Sequence, residues 1–485
     1  MQLPSTSRCS IAALSFTAIS LLACQGPAQV ERATVVENAR AGGKSLGDSL
    51  YPALGNDGYD LQHVDLELDI VPKDGTLHGV ARLQILAKIP LSAMSLDLTG
   101  LAVETVRQDG EPLIFIHEEA KLDITLQAAV SAGTRFELEI HYGGTPSSVP
   151  SPSVPFIPGV GWMRAGQDIY VLSQPNGASS VIPINDHPLD KATYDVRLTV
   201  PQPLTAISVG RLVGVEDTEQ GREFHFRSDA PVASSLFTFA VGHFERIEAI
   251  GQPVSMTYYF PPNATREQRD MQLRGGDILE FLTSKLGPYP FDSCGALLST
   301  MPMGAALETH SLPTYGAEVS DVGIIAHELA HQWLGNSVTI ERWRDLWLAE
   351  GLAEYMTWVW HESEMDDDGF RQLLGQGYAY MHAQKLPPPG APKIDELFGS
   401  GMYVRGAWSA HALRMRMGDA DFFELMKRWT QTHRHSNASL ADFMNLASEI
   451  EGEDVSDTLN AWLFAPTPPL VSGFEWALPR PEATE

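Results

Sequence analysis

The chain has 485 residues, long enough for two or three domains with sizeable cores. Its 61 acidic and 33 basic side chains give a net charge of −28, which excludes nucleic acid as a partner because a phosphate backbone needs Lys and Arg to neutralise it. A hydrophobic fraction of 44% excludes general disorder, and three cysteines (Cys9, Cys24 and Cys294) exclude a disulfide scaffold.

The N-terminus reads as an address. Arg8 precedes an apolar run from residue 11 to residue 22, followed by Ala23 and Cys24. A basic start, a short apolar stretch and a small residue describe a secretory signal. The run falls short of the roughly 20 residues a bilayer span needs. Leu21-Leu22-Ala23-Cys24 also resembles the lipobox of bacterial lipoproteins, whose cysteine becomes the acylated first residue of the mature chain. Secretion with an incidental cysteine is the alternative. By the same analogy Gln25 favours the outer membrane or cell surface, with the periplasm as the other destination. The segments expected are therefore a signal at 1–23 and a polar tether at 24–57, with a lipid at Cys24 as the only membrane attachment.

From residue 58 to residue 247 the pattern has period two. Val64, Leu66, Leu68 and Ile70 alternate with Asp65, Glu67 and Asp69, and Phe136, Leu138, Ile140 and Tyr142 alternate with Glu137, Glu139 and His141. Further strand-like runs lie at 81–87, 122–126, 194–200, 206–213, 223–227 and 237–244. Such spacing indicates a β-sandwich or saddle of antiparallel sheets. The Pro/Ser-rich insert 146–158 reads as an exposed loop. Over 248–472 the period becomes helical at 266–286, 322–336, 347–362, 406–417, 421–433, 439–450 and 455–464, after strand-like runs at 253–260 and 295–300. That is an α+β layout, followed by a Pro-rich tail at 473–485.

Residues 327–331 read His327-Glu328-Leu329-Ala330-His331. Positions i and i+4 share a helix face, so both imidazoles can reach one ion while the intervening carboxylate poises a water. The alternative is a helix whose two histidines are merely packed or exposed. A catalytic zinc needs a third protein ligand and an open position. Glu350 follows nineteen residues after His331, and a second helix packed antiparallel would return it to the ion.

The run from His327 through Tyr355, with Gln332, Trp333, Gly335-Asn336, Val338-Thr339, Trp343 and Asp345, resembles the aminopeptidase N family of gluzincin zinc peptidases. Ala349 stands where that family usually has Asn. Four further patches are similar to family segments. They are Gly287-Pro288-Tyr289-Pro290-Phe291, Asp186-His187-Pro188-Leu189-Asp190-Lys191-Ala192, Gly304-Ala305-Ala306-Leu307-Glu308-Thr309, and Tyr403-Val404-Arg405-Gly406. The resemblance implies a β-saddle domain followed by a thermolysin-like catalytic domain. It implies one Zn2+ per chain on His327, His331 and Glu350, with Glu328 as general base and Tyr403 as hydrogen-bond donor to the transition state. Glu308 would bind a substrate's free α-ammonium, and the Gly304-Ala305 backbone would pair with the substrate as an added strand. Asn176 would be a second amine contact, shorter and less charged than the family's usual Glu or Gln. Asp345 is a possible partner for a metal-bound histidine, and Glu354, one turn after Glu350, could steady the site. With 135 residues after Glu350, no helical C-terminal domain is expected over the cleft.

The leading expectation is an exported zinc aminopeptidase acting on peptides with a free N-terminus through a metal-activated water. An endopeptidase or epoxide hydrolase on the same scaffold is the near alternative. A non-catalytic surface lipoprotein is the alternative of a different class.

Overall fold

The computed structural model describes residues 36–251 and 253–478. The expected signal, the lipidation site Cys24 and the first part of the expected tether lie outside the described residues.

Strand Tyr59–Val71 buries Val64, Leu66, Leu68 and Ile70 along one face, as its alternation requires. It lies near the middle of an eight-stranded sheet, antiparallel to Thr76–Ala87 and parallel to Lys191–Val200. That parallel pair departs from the all-antiparallel expectation. About 120 residues separate its two strands, and they build much of a four-stranded and a five-stranded sheet before the chain returns. One apolar core takes side chains from all three sheets, among them Leu66, Leu96, Ile124, Tyr170 and Phe239.

Residues 36–57 differ from the expected tether by folding onto the body. Tyr51 is buried in the catalytic domain's core, its ring 5.6 Å from that of Trp343. The Asp48 carboxylate accepts hydrogen bonds from the backbone N–H groups of Trp343 (2.9 Å), Leu50 (2.8 Å) and Tyr51 (3.2 Å), and its Oδ2 lies 3.3 Å from Nε2 of His187. The segment is polar in composition, but its few anchors are well placed. The insert 146–158 is likewise only partly exposed, because Ser151 and Ser153 are buried.

The catalytic domain begins with a five-stranded mixed sheet in the order Glu245–Ala249, Met256–Phe260, Cys294–Leu298, Thr314–Tyr315 and Ala306–Leu307. Its first strand starts just before the expected domain boundary. Helices follow as α1 (Arg266–Leu273), α2 (Gly275–Leu286), α3 (Val322–Ala330), α4 (Glu350–Glu364), α5 (Asp367–Gln384), α6 (Gly406–Thr432), α7 (Leu440–Glu451) and α8 (Ser456–Leu463). Gly418 takes a left-handed φ of 77° inside α6, so the helix bends where the sequence pattern separates two helices. Tyr259, Leu297 and Leu312 of this domain enter the core of the first, so the two domains share buried surface.

Candidate active site and metal centre

Helix α3 starts at Asp321, whose side chain accepts the Gly323 N–H at 2.8 Å and satisfies an otherwise unpaired donor. The helix carries His327 and Glu328 on its buried side and ends at His331. A short turn through Gly335 and the 3₁₀ segment Trp343–Leu348 then reverse the chain into α4, whose first residue is Glu350. A carboxylate suits that position, since a helix N-terminus is electropositive. Gly351 of α4 and Gly406 of α6 lie in contact, and a Cβ on Gly406 would come 2.9 Å from the Gly351 Cα. This close crossing, with Trp347 Nε1–H donating to the Gly406 carbonyl at 2.9 Å, holds the π-helical turn Gly401–Arg405 beside the start of α4. Tyr403 sits on that turn.

His327 Nε2 and His331 Nε2 are 2.9 Å apart, and Glu350 Oε2 is 3.3 and 3.2 Å from them. The outer nitrogens explain why both inner ones are free. His331 Nδ1 lies 2.9 Å from the Leu334 carbonyl, which can only accept, so Nδ1 carries the proton and Nε2 a lone pair. Glu354 Oε2 lies 3.3 Å from His327 Nδ1, within ion-pair distance of that ring but without hydrogen-bond alignment, and is the carboxylate nearest its outer nitrogen. Two lone pairs and a carboxylate oxygen converging at such distances need a cation between them. Two histidines and a glutamate form a catalytic zinc set. Glu328 points a second, buried carboxylate oxygen with no partner into the same space, as a group awaiting a water or substrate would. The residues therefore fit zinc.

The donors open into a cavity of about 820 Å³ between the domains. Burial, against the pull of His327 and His331, leaves the Glu328 carboxyl raised to about 8. A cation on the donor set pulls in the same direction as the histidines and favours the carboxylate a base needs. Burial also pushes Glu350 up, but His331 and His327 outweigh it and hold this carboxyl at about 2. Tyr403 lines the cavity with its ring centroid 5.8 Å from that of His327. Burial and the carboxylates around it raise its phenol well above 10, so it stays a donor.

Glu308 is buried at the cavity wall, its carboxyl raised by burial against the pull of His331. Its backbone carbonyl accepts from Asn336 Nδ2 at 2.7 Å. Ala305 lines the cavity, whereas Gly304 lies just outside the lining. Among the described residues the strand Ala306–Leu307 is the last in its sheet, paired on one side with Thr314–Tyr315 and on the other with no strand.

Asn176 needs correction. Its Nδ2–H donates to the Pro150 carbonyl at 3.4 Å, and it does not line the cavity. Gln174, two residues earlier, lines the cavity instead, with its Nε2–H donating to Glu308 Oε1. The longer side chain of Gln174 reaches Glu308 from the N-terminal domain. Asp345 also stands apart from the histidines, 4.0 Å from Arg344. The Leu334 carbonyl accepts from His331, and Glu354 is the carboxylate close to His327. Glu354 could be anticipated, since i and i+4 share a face of α4.

The fold and this donor set define a zinc metallopeptidase scaffold of two domains, with one such metal site among the described residues. The sequence agrees. Residues 59–236 match the peptidase M1 N-terminal domain, and residues 311–462 match the peptidase family M1 domain. A solved M1 zinc metallopeptidase from Deinococcus radiodurans is 31% identical, covering 88% of this chain and 99% of that one with a TM-score of 0.81. Leucyl aminopeptidase of Saccharolobus solfataricus is 25% identical over 406 residues, 78% of this chain and 50% of that protein. Aminopeptidase 2 of Candida albicans is 22% identical over 82% of this chain and 46% of its own length. The chain thus spans half or less of the length of these curated relatives. It belongs to peptidase family M1.

Proposed function

We propose that the protein is a zinc aminopeptidase that removes the first residue of peptides with a free N-terminus. The observation that carries this reading is the sharing of one cavity by the metal donors, the unpartnered Glu328 oxygen and the Glu308–Gln174 pair. When bound, zinc supplies a Lewis acid that polarises the scissile carbonyl and makes water acidic near neutral pH. Glu328 takes the proton of the attacking water and passes it to the departing amine. Tyr403 donates its O–H to the carbonyl oxygen as negative charge develops there. Glu308, steadied by Gln174, receives the substrate ammonium through a charge-assisted hydrogen bond. A blocked N-terminus leaves that buried carboxylate unpaired, which disfavours acetylated peptides and internal bonds. The Deinococcus protein, solved with a Tyr-Ser-Ala substrate, supports peptides as the substrate class.

Export is part of the proposal, with Cys24 as the acylated residue and the outer membrane or cell surface as the location. It is supported by the apolar run and the Leu21-Leu22-Ala23-Cys24 pattern. Labelling with a fatty-acid analogue should mark wild-type protein and leave Cys24→Ala unmarked. For the chemistry, Glu328→Gln should keep its zinc and lose at least about 100-fold in kcat, the range a general base supplies. Unchanged turnover with zinc still bound would refute the mechanism.

A further inference from the structure

Apart from Gln174, which pairs with Glu308, the wall of the cavity supplied by the N-terminal domain is apolar. It consists of Val154, Phe156 and Ile157 from the Pro/Ser-rich loop, with Val160, Met163 and Leu172 from the strands that follow. Phe156 is 76% exposed, a large ring left uncovered where the loop meets the cavity. Among the described residues no Lys or Arg lines the cavity and offers a cation to an acidic side chain, whereas several carboxylates do line it.

The loop is held from behind. Tyr51 Oη lies 2.6 Å from Ser153 Oγ and 3.0 Å from Ser151 Oγ, and all three residues are buried. Tyr51 is itself fixed by Trp343 and by the Asp48 carboxylate, which accepts its backbone N–H. The segment before the first long strand therefore braces this loop directly, immediately before the loop turns its apolar residues to the cavity.

Resting on the reading of this cavity as a peptide site, we propose that the Val154–Ile157 loop is a specificity wall. It selects peptides with a large apolar side chain in one of the first two positions. Tyr51 is the positioning residue that sets the wall. Such a side chain covers the exposed Phe156 ring and removes its apolar surface from water, while a short or acidic one gains nothing there.

The test uses the full chain with Ala-Ala-Ala, Phe-Ala-Ala, Ala-Phe-Ala and Ala-Glu-Ala peptides. Hydrolysis is measured with the wild type, and binding by calorimetry to the Glu328→Gln protein. The expected wild-type preference for one of the Phe peptides over Ala-Ala-Ala is about tenfold or more in kcat/KM, the scale of one apolar contact. Phe156→Ala, at an exposed position, should remove most of that preference and bring the favoured Phe peptide close to the same variant's kcat/KM for Ala-Ala-Ala. Tyr51→Phe should raise KM several-fold for the preferred peptide alone, with kcat kept. Equal kcat/KM for all four peptides, or a Phe156→Ala loss shared equally by all, would overturn the wall. Selective binding without hydrolysis would leave the wall standing and overturn the aminopeptidase reading instead.

Discussion

Tyr403 contributes a single hydroxyl, and Tyr403→Phe removes it while keeping the ring beside His327. If that hydroxyl donates to the developing oxyanion, kcat should fall by about 10²–10³-fold. KM and zinc content should change little, which steady-state kinetics and metal analysis can check. At this scale much of the site was legible. His327, Glu328, His331 and Glu350 follow from helical spacing and from the chemistry a zinc site needs. The misassigned residue is instructive. Asn176 occupies the position that the family resemblance points to, but reach decides the contact, and Gln174 extends to Glu308. Spacing along a turn does not reveal which of two nearby amides spans a gap between domains. The carbonyl of Leu334 was equally out of view, because every residue has one and only the turn aims it at His331.

The elements around the metal depend on a turn that tolerates little change. Gly335 has φ +117°, and a Cβ there would lie 3.3 Å from both His331 Nδ1 and the Ala349 side chain. Gly335→Ala should therefore disturb the Leu334–His331 hydrogen bond and weaken zinc binding by about 10–100-fold. Competition with a chromogenic chelator measures this directly, and retention of wild-type affinity would show that the turn can relax. Helix α5 was not visible in the sequence. Its 18 residues include Gly369, Gly375 and Gly377, which dilute the apolar period that marks a helix. The structure explains two of these glycines, since Gly375 faces the Trp476 ring and Gly377 faces the rings of Trp358 and Trp408. The N-cap signal was present, with Asp366 accepting the Gly369 N–H at 2.8 Å. The alternating strands of the first domain were easier to read, because burial on one face writes a period of two directly into composition.

Across the whole molecule, residues 36–57 tie the two domains together through a few buried polar anchors, a role that polar composition conceals. Asp48 gives this tie a pH dependence. Burial pushes its carboxyl up, but His187 and three backbone N–H groups outweigh that and hold it at about 2, below its ordinary 3.8. A depressed folded-state value stabilises the protein above pH 3.8, and that contribution is lost as pH falls towards 2. It amounts to about 2 kcal/mol at neutral pH. Chemical denaturation should find Asp48→Asn less stable than wild type by up to that amount at pH 6, with the gap narrowing by about half near pH 3. The motif Asp186–Ala192 belongs to the same scale. Its Lys191 Nζ donates to the carbonyls of Asn336 and Ser337 at 3.1 and 2.9 Å, and the Asn336 side chain in turn holds the Glu308 carbonyl. A segment matched only by resemblance thus seats one domain against the residues that hold the Glu308 backbone of the other.

The claim that joins these scales is that a buried carboxylate beside a zinc site reads a free amine. Rates for one aminoacyl substrate and its N-acetylated twin, each with and without a zinc chelator, test it most directly. The account predicts rapid cleavage of the free-amine substrate, negligible cleavage of the acetylated one, loss of activity with chelator and its return with added zinc. Equal rates on the two substrates, or activity that survives complete zinc removal, would contradict it.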